Sequence, residues 1–309
     1  MTALEAIATH RPEHSVSIDD LADSLGLTRM QVRLFRKFHG FDRVPLDPGG
    51  TLLDLLRPAV AGLPLAGREQ QVRYLVHARN MPFAAPYPLS PLHDLRDELG
   101  LSHAVAFTVS HHACATALIA IDVAGQLLAA DGDEDGLALV LAGEKAFTRD
   151  AQFVPGTSIF GEVGGACLVS AGGRRDRLLA FANSARGEFN GRFDELPELA
   201  AQYELEYPVA LTDVLFAAMK QAGLALTDLS LILPHNVNAV SWVRLCRRID
   251  FPVERVVLDN VPVTGHAFCA DFFVNYQTAT GQGLLRPGDR YLVAAAGQGA
   301  TFSAMVFEH

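Results

Sequence analysis

Residues 112–128 read HACATALIAIDVAGQLL, and residues 266–285 read HAFCADFFVNYQTATGQGLL. Both open on His-Ala, run through an apolar stretch with the character of a helix, and close near Gly-Gln and a pair of leucines. Each is followed by an acidic turn and an apolar strand, Leu137 to Ala142 (LALVLA) in one case and Tyr291 to Ala296 (YLVAAA) in the other. Each half then ends in a glycine turn and a last strand, GEVGGACLVS at 161–170 and GQGATFSAMVF at 297–307. Likeness between two apolar stretches is weak on its own, but the matching order of elements reads as a duplication. Two α/β halves, 1–170 and 171–309, packed about a pseudo-twofold axis would bring residues near 114 and near 266 to face one site.

Working outward from the first copy, Val105 to Val109 is a short apolar strand. Residues 115–128 are apolar almost all round, the pattern of a helix buried on every side. Cys114 therefore sits where a strand gives way to the start of a central helix. The first turn of a helix presents unpaired N–H groups and a partial positive charge. Both favour thiolate over thiol, and the same N–H groups can hold an oxyanion. Most free cysteines are small buried hydrophobes, and Cys167, in the run Ala166-Cys167-Leu168-Val169, and Cys246 read that way. Position and duplication together set Cys114 apart as a nucleophile.

The rest of the 309 residues bounds the function. Half are hydrophobic on the AVILMFWYC count, enough for a large core. A net charge of −10 argues against nucleic acid as a partner but leaves a local basic patch free to dock an acidic carrier protein. The densest basic cluster, Arg29, Arg33, Arg36, Lys37 and Arg43, lies in residues 15–45. That region reads as helical from a capping-box-like start at Ser17 and Asp20. The cluster is either a solvated helix face or a landing site for the phosphates of a thioester donor. Four cysteines without a CxxC pair fit neither a disulfide framework nor a zinc site, so no metal is expected. The N-terminus lacks the pattern of a signal peptide, and no run of eighteen apolar residues predicts a membrane span. The expected setting is the cytoplasm. Four prolines in 82–91 make that stretch a loop, followed by a helix from about 92 to Leu99 that Gly100 ends.

Several segments in order resemble the β-ketoacyl-acyl-carrier-protein synthase III family. They are the strand, Cys114 and buried helix; Gly156-Thr157-Ser158-Ile159-Phe160-Gly161-Glu162-Val163-Gly164-Gly165-Ala166; Pro234-His235-Asn236-Val237-Asn238; and the closing Ala296-Gly297-Gln298-Gly299 turn. The resemblance starts at about residue 15, with the family's first strand missing or shortened at the N-terminus. It implies the thiolase fold, an α/β architecture of two pseudo-symmetric halves in five αβαβα layers. It also implies a Cys nucleophile at Cys114, a His at His235, and an Asn in a Gly-Asn motif. Here the third position differs, because Gly265-His266 stands where the family has Gly-Asn.

In the family that Asn and the His donate hydrogen bonds to the thioester carbonyl of a malonyl group as CO₂ leaves. Two readings of His266 follow. As a neutral donor it completes a Cys-His-His set, and decarboxylative condensation survives. As a general base it needs an orienting carboxylate, and Asp271 lies five residues on in an otherwise apolar run. A buried aspartate without a partner is costly, and pairing with His266 accounts for it. A first-turn carboxylate at a helix start is the plainer account. The Cys-His-Asp reading is preferred. It resembles natural-product acyltransferases that move an acyl group from a thioester to an alcohol or amine. A non-catalytic partner subunit is the third possibility, and the intact Cys114, His235, His266 and Asp271 speak against it.

The role of Tyr87 is what the resemblance implies, and the other supporting roles are read from the residues themselves. The oxyanion hole would combine the N–H of Cys114 with one from Gly297, Gln298 or Gly299, a turn followed by too few residues to be a dinucleotide motif. Asn238 braces the His235 loop, Tyr87 lines the partner subunit's acyl tunnel across a homodimer interface, and Arg33, Arg36 and Lys37 meet the donor. His111 and His112 are turn residues beside the nucleophile, and Trp242 is a packing residue. No tryptophan matches the one that stacks coenzyme A in the family, which favours an acyl carrier protein over acyl-CoA as donor. No permanently bound cofactor, no nucleic acid and no membrane are expected.

Overall fold

The computed structural model describes residues 1–81, 85–86, 88–189 and 196–309. Nine strands form the central sheet. From edge to edge they are Leu231–Pro234, Arg290–Gly297, Thr301–Glu308, Arg177–Ala185, Ala3–His10, Gly164–Ser170, Leu137–Ala142, Val72–Ala78 and Val105–Val109. Reading outward from Ala3–His10, the pairings run antiparallel, antiparallel, parallel, parallel. Reading outward from Arg177–Ala185, they run antiparallel, antiparallel, parallel. A parallel bridge between Ile232 and Val256 then stands where the second half's fifth strand would lie. The two halves meet antiparallel at the register pair Ala3–Arg177. The duplication inferred from sequence is thus repeated in the order and sense of strand pairing.

Successive strand residues point to opposite faces, and the sequence supplies apolar side chains to both. Val76 and Val140 of the first half, and Val293 and Met305 of the second, reach the middle of the molecule. There they meet Leu118 and Ile121 of the helix Thr116–Asp131 and Phe272 and Phe273 of the helix Asp271–Gly281. Leu75, Leu139 and Leu168 face outward under the helix Leu52–Ala61. Ile232, Leu292 and Phe302 face outward under Pro197–Ala222 and Ala239–Ile249. The result is five alternating layers, with the two related helices sandwiched between half-sheets. Full burial of one Leu or Ile side chain contributes roughly 1.5–3 kcal/mol, so the middle layer anchors the fold. The stretch Ala113–Asp131 is long and apolar enough to meet the length and composition of a membrane span, contrary to the sequence expectation. Its place between two sheets is the physical reason for that composition.

Three expectations need correction. The first strand is neither missing nor short: Ala3–His10 has eight residues and pairs along its length with Gly164–Ser170. Its small residues and a register shift between Leu4 and Ala6 blur the alternation that would announce it. Residues 15–45 are not helical throughout. Ser17 does cap a helix, accepting from Asp20 N–H at 3.2 Å. However, Ser15–Ser17 is itself a strand paired with Arg43–Pro45, and the helical segments lie between them. Finally, the repeat is displaced by one residue from the His-Ala match. Short 3₁₀ turns at Ala113–Ala115 and Phe268–Ala270 precede the two central helices. Each turn opens on a non-glycine residue with positive φ, 46° at Ala113 and 54° at Phe268. Cys269, not Ala267 or Phe268, is the counterpart of Cys114.

Candidate active site

Both turns deliver their residues to one point. The backbone conformation at Ala113 and Phe268 is one that L-residues avoid, at a cost of order 1–3 kcal/mol each, and it persists only where the surroundings enforce it. The enforcement is visible. Cys269 Sγ donates to Ala113 O at 3.2 Å, and Thr116 Oγ1 donates to the same carbonyl at 2.6 Å. A Cβ at Gly297 would fall 2.1 Å from His112 O, so only glycine lets the last strand pair close against the turn before Cys114.

His266 is set by the other turn. Gly265 adopts φ 60° and ψ −153°, and a Cβ there would stand 2.6 Å from Ile159 O. Across that contact His266 N–H donates to Ile159 O at 3.0 Å, and Gly161 N–H donates to His266 O at 3.1 Å. Phe160 stacks on the His266 ring at 4.6 Å between centroids, and on Phe268 at 4.4 Å. The Gly156–Ala166 segment therefore fixes the plane of His266. Phe160 is a supporting residue the sequence reading passed over, and its place in the quoted motif was the available signal.

The imidazole bridges nucleophile and carboxylate. His266 Nε2 lies 3.0 Å from Cys114 Sγ, and Nδ1 lies 2.5 Å from Asp271 Oδ2. Asp271 also accepts from Asn236 N–H at 2.6 Å and from Ala267 N–H at 2.7 Å. Asp271 thus holds both a helix-start position and a partner role. His266 is 3% exposed and Asp271 2%, so their pairing is dry. Burial works against the imidazolium, but charge on Cys114 and Asp271 outweighs it and pushes the His266 pKa up to about 10. The free space at the thiol is about 10 Å³, bounded by Leu118, His235, Phe268 and Phe272 among others, close to the room one water needs.

His235 faces the same centre, its ring 5.9 Å from that of His266. Burial and then the neighbouring His266 drive its pKa down to about 3, so it is neutral. Trp242 Nε1–H donates to His235 O at 2.8 Å, confirming a packing role for the tryptophan. An amide network ties the His235 loop to the Asp271 helix: Asn275 Nδ2 donates to Pro234 O at 2.7 Å and to Asn236 Oδ1 at 2.9 Å.

Comparison with known proteins finds similarity in sequence and in fold. Residues 219–309 match the family model of the 3-oxoacyl-[acyl-carrier-protein (ACP)] synthase III C terminal. Beta-ketoacyl-[acyl-carrier-protein] synthase III of Pseudomonas aeruginosa is 26% identical over 268 residues, spanning 81% of this chain and 79% of that protein. The enzyme of the same description from Rhizorhabdus wittichii is 29% identical over 228 residues, 68% of this chain and 69% of that one. In fold, the chain is similar to ChlB3, an acyltransferase, with TM-score 0.86 at 19% identity, covering 99% of this chain and 97% of that one. It is also similar to FabH from Pseudomonas aeruginosa PAO1, with TM-score 0.81 at 21% identity, covering 99% and 98%. The chain is thus similar in sequence to β-ketoacyl-acyl-carrier-protein synthase III proteins and shares their fold.

The remaining predicted residues divide. Asn238 is spent on structure, since Oδ1 caps the next helix through Ser241 N–H at 2.7 Å and Nδ2 donates to Thr157 O at 3.0 Å. Gly297 is buried against the Cys114 turn, Gly299 is half-buried, and Gln298 is exposed. His111 is exposed in its turn, and His112 lies 3.4 Å from Thr301 Oγ1. Arg33 and Lys37 are exposed, and among the described residues neither forms an ion pair. Arg36 instead bridges Asp19 and Asp42, which a count of cations along the sequence overlooked. Tyr87 lies outside the described residues.

Proposed function

We propose that this protein is an acyltransferase. It would take an acyl group from a carrier-protein or coenzyme A thioester onto Cys114 and pass it to a hydroxyl or amine acceptor in natural-product biosynthesis. The observation that carries this reading is the continuous line from Cys114 through His266 to Asp271. Loading begins as His266 Nε2 holds the thiol proton and the sulfur attacks the thioester carbonyl. The donor thiolate leaves and takes that proton from His266. In transfer, His266 Nε2 accepts the proton of the acceptor as its oxygen or nitrogen attacks the acyl group, and the Cys114 thiolate departs. Asp271 supports both steps by keeping Nδ1 protonated and Nε2 on the sulfur side. The tetrahedral oxyanion would be held by the N–H of Cys114 and one from the 297–299 turn.

The donor would arrive over the N-terminal helices. Met30, Leu34 and Phe38 are exposed, at 79%, 38% and 56%, and recur at a four-residue spacing beside Arg29, Arg33 and Lys37. An apolar ridge flanked by cations suits an acidic carrier bearing an apolar helix face. The sheet edge Val105–Val109, with Val105 59% exposed, would pair across a homodimer axis, since an open edge strand offers unmet N–H and C=O groups. A cytoplasmic setting fits four free cysteines, and acyl transfer through Cys114 would call for no permanent cofactor.

Intact-mass measurement after incubation with a panel of acyl-CoA and acyl-carrier thioesters tests the reading. An adduct should form on the native chain and be absent from Cys114→Ala. Equal adducts on both would overturn it.

A further inference from the structure

Tyr207, on the helix Pro197–Ala222, places its hydroxyl 2.9 Å from His235 Nε2. Burial raises the phenol pKa well above its ordinary value, with Tyr203 and then Cys114 adding to the shift. The phenol stays protonated and donates. Among the described residues, His235 Nδ1 is buried and takes no hydrogen bond of standard length, while the Ala294 backbone still favours a proton on this ring. With Tyr207 donating, the His235 proton lies on Nδ1 and the lone pair on Nε2.

Decarboxylation of a malonyl thioester makes the opposite demand. The bond from the methylene to the carboxylate breaks, CO₂ departs, and the electron pair moves into an enolate on the thioester oxygen. That oxygen needs N–H donors aimed at it, after which the methylene carbon takes a proton to give the acetyl thioester. In this chain His266 has Nε2 on Cys114 and Nδ1 on Asp271, while His235 has Nε2 on Tyr207. Among the described residues, neither Nε2 of the two imidazoles is free to donate to an incoming carbonyl.

We propose that Tyr207 is a positioning residue that suppresses malonyl decarboxylation by occupying His235 Nε2, and so commits the Cys114 site to acyl transfer. The inference rests on the acyl-transfer reading. Tyr207→Phe keeps the ring and removes the hydroxyl, freeing Nε2 to carry the proton and to donate.

The experiment measures CO₂ release from malonyl-carrier thioester by the native chain, by Tyr207→Phe, and by Tyr207→Phe combined with His235→Ala. Acyl loading of Cys114 is followed by intact mass in each. The expected result is at least a tenfold gain in CO₂ release in Tyr207→Phe that the double variant loses. A structural defect would not create that gain. Loading by the native chain without a gain in Tyr207→Phe overturns this inference alone. No loading by the native chain overturns the acyl-transfer reading instead. Should Tyr207→Phe not fold, the ¹⁵N spectrum of the native His235 ring decides, assigned by its loss in His235→Gln. A non-protonated Nε2 supports the proposal, and a protonated Nε2 overturns it.

Discussion

Asp271→Asn keeps the size of the side chain and removes its charge. The native carboxylate accepts three hydrogen bonds, from His266 Nδ1–H at 2.5 Å, Asn236 N–H at 2.6 Å and Ala267 N–H at 2.7 Å. An amide has one oxygen, so its NH₂ must face at least one of those donors. Losing a charge-assisted bond to a buried imidazolium costs about 1.5–3 kcal/mol, which is roughly a 10- to 150-fold fall in rate. If the amide also turns the imidazole to its other tautomer, the loss approaches the ~10⁴-fold known for the equivalent change in a Ser-His-Asp protease. The pH dependence gives a second reading. The His266 pKa is raised from 6.5 to about 10, with burial opposing the charge and Cys114 and Asp271 outweighing it. A raised pKa means that the cation's contribution to folded stability is complete below about pH 6.5. It is lost as pH climbs through about 10. Removing Asp271 lowers the upper end of that window. The assay is single-turnover discharge of preformed acyl-Cys114, paired with the pH profiles of Cys114 alkylation and of urea unfolding. Discharge within twofold of native, with both profiles unmoved, would refute the assignment of Asp271 as the orienting carboxylate.

Further consequences follow from particular contacts. Gly265→Ala puts a Cβ 2.6 Å from Ile159 O at a φ of 60°, so the joint holding His266 should open and acyl transfer should collapse, checked by thermal melting alongside activity. Charge reversal at Arg33 and Lys37 together should raise KM for a carrier-bound donor several-fold and leave a small thioester donor nearly unaffected. Asn238→Ala removes a helix cap and should cost about 1 kcal/mol in urea unfolding, because both ends of its amide are structural.

Much of the site was legible because its parts are local. Strand, turn and apolar helix around Cys114 occupy one short stretch, and His266 and Asp271 are five residues apart. Their chemistry calls for pairing, and the structure pairs them. What escaped the sequence lies in contacts between distant segments. Ala3–His10 becomes a strand by pairing with residues far along the chain. Tyr207 gains meaning only where its helix crosses the His235 loop, 28 residues on. Phe160 reaches His266 through a bridge between the two halves. Arg36 was read as a free cation because Asp19 and Asp42 are separated from it in sequence and joined to it by the turn of the chain.

The central claim is that Cys114, His266 and Asp271 discharge an acyl group onto a hydroxyl or amine without carbon–carbon bond formation. The most direct measurement offers purified acyl-Cys114 enzyme both malonyl-carrier thioester and a pool of hydroxyl and amine acceptors, and follows labelled acyl group and CO₂ together. The account predicts that label leaves as ester or amide with no matching release of CO₂. Label appearing in a 3-oxoacyl thioester, with one CO₂ for each acyl group discharged, would contradict it.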